Sequence, residues 1–307
     1  MIPSTWAQAT WPSQPVQIIV PYSADGLADK VARKIAQKLS ATFGQPFSIQ
    51  NLPGAGGTTG MSKLAQAAPN GHTLALSAIS PLTLSPHLSK LNYKADGSFE
   101  AITPVMYSPV YVMATGAFTG KSWDDVVALA KAQPGTVRFA TSGIGSVGHI
   151  MMEQIQAQTG AKFVHMPYKG AGQLVTDAPQ NYFEIMVSNP FDELNQLISQ
   201  NKLRVLAVTG PQRIAHFSNA PTLAEKGLAD ANLTSTFGIF APVGVSADIV
   251  SKLHSSVQKL LDEPEIVQLL KSANNMPLKQ SAQDFAATLR KESQSNARII
   301  QQAGLKM

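Results

Sequence analysis

The sequence predicts an α/β protein arranged as two lobes. Strand-like and helix-like apolar patterns alternate from Val16 onward, the signature of α/β layering. The chain has 307 residues, too many for one small core and enough for two. No low-complexity linker divides it, so any boundary between lobes falls within the strand pattern.

VQIIV at Val16–Val20 is a β-branched run that reads as a buried strand. Residues 29–39 place Val31, Ala32, Ile35, Ala36 and Leu39 at helical spacing. Residues 46–50 read as a second strand, 54–60 as a glycine-rich turn, 61–68 as a short helix and 73–77 as a third strand. Two strand-like runs fill 102–113, broken at Ser108-Pro109. A helix is expected at Trp123–Ala132, a strand at Val137–Thr141, then the loop SGIGSVGH and a long helix through Gln158. Further strands are expected at 163–166, 185–187, 205–208 and 237–241. Helices are expected at 247–261, 265–272 and 283–303, the last beginning near Ser281. No repeat at a solenoid period is present.

Composition narrows the function classes. Apolar residues make up 44% and charged residues 14%, as in a folded globular chain. There is no cysteine, which removes disulfides and thiolate metal sites. The net charge is +5, but the basic residues are scattered, and a nucleic-acid footprint needs clustering. No apolar run is long enough to span a bilayer. Ala7-Gln8-Ala9 is an A-x-A pattern of the kind cut in signal peptides. It reads either as a signal remnant ahead of a mature chain near Thr10 or as a frayed terminus.

Three strand–loop–helix junctions concentrate small side chains and backbone N–H groups: residues 21–29 (PYSADGLAD), 53–60 (PGAGGTTG) and 141–149 (TSGIGSVGH). Helix N-termini approached by glycines bind anions through unpaired N–H groups and the helix dipole. Gly143, Gly145 and Gly148 also form a G-x-G-x-x-G dinucleotide pattern, but the acidic residue expected about 20 positions later is missing. No cofactor is therefore expected. No G-x-S-x-G, P-loop or metal-ligand spacing occurs, so no metal is expected. His149 falls in a first helical turn, where capping or packing competes with ligand contact. Asp25 can cap the following helix or meet a ligand amine. Asp29 suits the dipole of that helix.

The motifs WPSQPVQIIVPYSADG, NLPGAGGTTG, APNGHTL, TSGIGSVGH, HMPYKGAG, KLRVLAVTG, APTLAEKGL and FGIFAPVGV run in order along the chain. Together they resemble the solute receptors of tripartite tricarboxylate transporters, the Bug family of periplasmic binding proteins, from about Trp11 to Lys306. The resemblance implies a type II periplasmic-binding-protein fold: two α/β lobes around a central cleft, crossed twice by the chain. One lobe would hold residues 10–108 plus 230–307 and the other 109–229. It implies a ligand site at Tyr22, Ser23, Ala24, Asp25 and Gly26 in the first loop, with Thr141, Gly145, Ser146 and Val147 in the third. Ser80, His149, Tyr168, Ser188 and Asn189 complete the candidate set. It further implies a periplasmic monomer that hands a small carboxylate to membrane transporter subunits and catalyses nothing.

The chain departs from the family pattern at several positions. Asp25-Gly26 replaces a pair of glycines, and Ser188 stands where an aspartate is usual. Ser80-Pro81-Leu82 replaces a Thr-His pair, and Thr236 a frequent tryptophan. The 21–29, 53–60 and 141–149 loops hold neutral donors and no arginine, which fits a carboxylate held by dipoles. A small mono- or dicarboxylate is expected, with aromatic and C4–C6 aliphatic diacids foremost. The alternatives are an amino-acid-type ligand drawn by Asp25, a sensory receptor using the same clamp, or a hydrolase using Ser142 or Ser146.

Overall fold

A computed structural model describes residues 11–22, 24, 26–94, 96–168, 170–302 and 304. The A-x-A segment, Ser23 and Asp25 lie outside the described residues. The first half of the chain forms β1 (Val16–Val20), α1 (Leu27–Phe43), β2 (Phe47–Asn51), α2 (Thr58–Ala65), β3 (Thr73–Ala78), α3 (Ser80–Thr83), α4 (Ser85–Leu88), β4 (Phe99–Ser108), β5 (Tyr111–Ala114), α5 (Trp123–Ala132), β6 (Val137–Thr141) and α6 (Val147–Thr159). It continues through β7 (Phe163–Pro167), α7 (Ala171–Asp177), β8 (Ile185–Ser188), α8 (Asp192–Ser199), β9 (Arg204–Val208), β10 (Ser235–Pro242), α9 (Ala247–Leu260), α10 (Pro264–Ser272), β11 (Met276–Pro277) and α11 (Ala282–Gln302).

Two sheets organise these elements, giving the two-lobed α/β architecture. The first has strand order β11-β4-β10-β3-β1-β2, and the second β7-β6-β8-β5-β9. β1 is parallel to β2 and β3, and its near-continuous apolar run suits a strand covered on both faces. Over it α1 buries Val31, Ala32, Ile35, Ala36 and Leu39, the stripe its spacing predicts, and ends on left-handed Gly44. β10 runs antiparallel to both β3 and β4 and lies between them. A strand from late in the chain thus completes the sheet begun at Val16. The second sheet is nucleated by parallel β6–β7 and β6–β8 pairs, with β5 antiparallel to β8 and β9.

The chain passes between the sheets at Pro109-Val110 and again between β9 and β10. Asn189, just after β8, braces both passages. Its amide donates to the Ser108 and Pro109 carbonyls at 3.4 and 3.0 Å, and its Oδ1 accepts from the Ser235 hydroxyl at 3.0 Å. α11 packs on β4 and α3 and reaches α6 of the other sheet's layer. Leu84, Leu88, Ile150, Ile299 and Ile300 form a small apolar cluster there.

Three local readings need correction. α2 begins at Thr58, inside the stretch expected to be a turn. Gly60 belongs to this helix because a Cβ there would lie 2.6 Å from Pro21 Cβ; the glycine lets α2 lie against the end of β1. The short helices α3, α4, α7 and α8 are too brief to generate a readable apolar period. Asp29 does more than face a dipole. It is buried, paired with Arg33 Nε at 2.8 Å and bonded by the Asn51 amide at 2.8 Å.

Candidate ligand-binding site

A cavity of about 440 Å³ lies between the two sheets. The first sheet's layer contributes Tyr22, Gly56, Ala78, Ser80, Ser85, Ser235 and Phe237. The second contributes Val110, Ser142 through Gly148, Ala171, Val187, Ser188, Asn189 and Phe191. Among the described residues, no Asp, Glu, Lys, Arg or His lines it. Hydroxyls, the Asn189 amide, backbone and apolar side chains make up the described wall.

Gly56 stands just before α2, Ser146 and Val147 open α6, and Phe191 caps α8. Their dipoles are not equivalent. α8 carries Asp192 and Glu193 in its first turn, which offset its positive end, whereas α2 and α6 carry no acid there. Among the described residues the lining carries no formal charge and is electropositive at two helix starts, an arrangement suited to a carboxylate.

The loop between β6 and α6 is held from behind. Thr141 Oγ1 exchanges bonds with the Gly143 backbone at 3.3 Å and meets His165 Nε2 at 2.8 Å. His149 Nδ1 accepts the Gly145 N–H at 3.1 Å, so its proton sits on Nε2, which faces Glu153 Oε1 at 3.7 Å. The His149 and His165 rings stack 4.0 Å apart. Burial, with His165 alongside, pulls His149 down to about 4, and burial also lowers His165. Both rings are neutral struts at neutral pH. Ser146 caps α6 by accepting the His149 N–H at 3.2 Å. The glycine pattern serves packing: Gly143 and Gly145 take positive φ, and a Cβ on Gly148 would lie 2.5 Å from Val187 Cγ2.

Of the candidate residues, Tyr22, Ser80, Gly145, Ser146, Val147, Ser188 and Asn189 come together on the cavity wall. Thr141, His149 and Tyr168 do not line it. Thr141 and His149 support the loop, and Tyr168 packs on Phe183. Ala24 and Gly26 are exposed and outside the lining. Tyr22 is fixed by the Ala78 N–H donating to its oxygen at 3.1 Å, and burial raises its phenol pKa, keeping it protonated. No local pattern marks Phe237, Phe191 or Ser235 as lining residues; Phe191 is distant in sequence from the other two and meets them only after β10 inserts.

Two α/β lobes crossed twice by the chain, with a hydroxyl-lined cavity between them, define a solute-binding clamp. The profile of the tripartite tricarboxylate transporter family receptors matches residues 31–305, and the chain belongs to that family, one of solute receptors rather than enzymes. It is 31% identical to protein BugT of Bordetella pertussis, over 97% of this chain and 92% of that protein. Among solved structures, Rpa4515 of R. palustris with adipate is 26% identical, covering 96% of this chain and 99% of that one, with a TM-score of 0.81. The periplasmic binding protein BugD is 27% identical over 96% of this chain and 99% of its own, with a TM-score of 0.78. Among the described residues, no helix is long and apolar enough to cross a membrane.

Proposed function

We propose that the protein is a periplasmic receptor that captures a small dicarboxylate and delivers it, as a monomer, to the membrane subunits of a tripartite tricarboxylate-type transporter. The observation that carries this is a cavity whose described lining is uncharged and onto which α2 and α6 open without an acid in their first turns. Residues 10–108 with 230–307, and 109–229, are taken as the two lobes. The proposed ligand contacts are Tyr22, Ser80, Gly145, Ser146, Val147 and Ser188, with Ser23 and Asp25 of the first loop. The valines and Phe191 and Phe237 of the wall suit a carbon chain or ring. The relative Rpa4515, solved with adipate, supports a C4–C6 diacid. Thermal-shift screening with succinate, adipate and terephthalate beside monoacid analogues tests the reading, since a ligand bound only by the native state raises the melting temperature. A diacid should outperform its monoacid. Stabilisation by amino acids alone would replace this reading with the amine-binding one.

A further inference from the structure

Glu292 lies midway along α11 and lines a small gap between the lobes, together with Ser80, Val147, Ile150 and Thr234. Ser80 and Val147 line the ligand cavity as well, and Val147 is the first residue of α6. The gap that Glu292 lines therefore adjoins the ligand cavity at Ser80 and at the first residue of α6. Among the described residues its carboxylate accepts a hydrogen bond from the Thr83 hydroxyl, at 2.9 Å to Oε1. Among the described residues no Lys or Arg pairs with it.

We propose that Glu292 is the proton-linked group of this binding site: a carboxylate arriving at the α6 N-terminus drives proton uptake by Glu292, and a protonated Glu292 favours the bound ligand. This rests on the carboxylate reading of the cavity. Two anions sharing one helix start disfavour each other, and the group that can shed its charge does so. Linkage makes the effect reciprocal, so whatever the ligand does to the acid, the acid's protonation does to the ligand. Burial, only partly offset by the Thr83 hydroxyl, raises Glu292 to about 7, which puts the switch in the physiological range.

Other titratable groups on the surrounding elements are His87 on α4, bonded to Ser293, and His149 and Glu153 on α6. Glu100 and Tyr107 on β4, and Asp284, Arg290, Lys291 and Arg298 on α11 itself, complete them; α3 has none. His149 is engaged with Gly145 and faces Glu153, so it is not a partner for Glu292 in the described structure. The sign follows from a free-state value near 7 and a higher value with ligand. Affinity falls as pH rises through 7, a range in which a C4–C6 diacid is already ionised at both ends.

Calorimetric titration with succinate, adipate and terephthalate, at pH 7.5 in two buffers of different ionisation enthalpy, tests the coupling. The expected result is net uptake of a fraction of a proton per ligand and a three- to tenfold loss of affinity from pH 7 to pH 8.5. Both should vanish in Glu292→Gln. Binding without proton uptake overturns the coupling alone, as does uptake that persists in Glu292→Gln. No binding of any of the three acids, at any pH, overturns the carboxylate reading and the coupling with it. Should the variant fail to fold, the wild-type buffer dependence still decides: no uptake sinks the proposal.

Discussion

Gly145, in the loop that opens α6, packs directly against the Leu88 side chain of α4, and no Cβ fits between them. One residue belongs to the second sheet's layer and the other to the first's, so the ligand loop is seated against the opposite side of the cleft. Gly145 also has φ +70°, a region that costs other L-residues about 1–2 kcal/mol. Gly145→Ala should therefore weaken carboxylate binding tenfold or more. Adding Leu88→Ala should recover part of that loss, because the two sites share a contact. Calorimetry on the single and double variants measures this; purely additive losses would mean the contact does not position the loop.

The buried histidine stack makes stability fall on the acid side. His149 sits at about 4 in the folded protein, against about 6.5 for an unperturbed imidazole. The unfolded chain then binds more protons in that interval. The contribution is fully present above about 6.5 and is lost as pH falls toward 4. His149→Gln, which keeps an acceptor for the Gly145 N–H, should make the melting temperature less steep between pH 4.5 and 6.5. His165, also lowered, keeps part of the slope. Identical slopes in both proteins would move the acid sensitivity elsewhere.

Much of the architecture is legible in the sequence where the signals are local. Trp123–Ala132 reads correctly because Ser122 and Asp125 form a capping box at its start. Val137–Thr141 reads correctly because a short apolar run sits between Gly135 and the glycine loop. The insertion of β10 between β3 and β4 is not a local property; it depends on pairing with strands that lie far back in the sequence. The same limit applies to the site. The three loops are visible as glycine- and hydroxyl-rich junctions, but nothing in VSNP says that the Asn189 side chain is spent on the crossing strands. Nor could TSGIGSVGH reveal whether His149 points at a ligand or back at Gly145.

Asn189 gives a prediction of its own. Its amide and Oδ1 are both engaged, at Ser108, Pro109 and Ser235, so it couples the two passages between sheets. Asn189→Ala leaves these partly buried groups without partners and should cost about 1–3 kcal/mol of stability. The passages should also loosen, so ligand affinity should drop together with stability. Urea unfolding and calorimetry check the two effects. Lost affinity at unchanged stability would instead make Asn189 a direct ligand contact.

Ser188 tests the electrostatics of the cavity. It lies at the end of β8, is 7% exposed, lines the cavity, and donates its hydroxyl to the Asn189 carbonyl at 3.1 Å. Among the described residues the wall itself carries no formal charge, so an anion beside Ser188 meets hydroxyls, amides and backbone dipoles there. Ser188→Asp would place a carboxylate in that wall. Two like charges in a partly desolvated space repel, and either the ligand is lost or the new aspartate takes up a proton. Binding of adipate should fall at least tenfold at pH 7.5, about 1.4 kcal/mol. The loss should shrink at pH 5.5 as the new acid protonates. A diacid whose second carboxylate approaches β8 should lose more than its monoacid analogue, whose far end is uncharged. Ser188→Asn, of similar size but neutral, separates charge from bulk. If it lowers affinity as much as Ser188→Asp, crowding rather than repulsion governs this end of the cavity, and the electrostatic account of ligand choice fails.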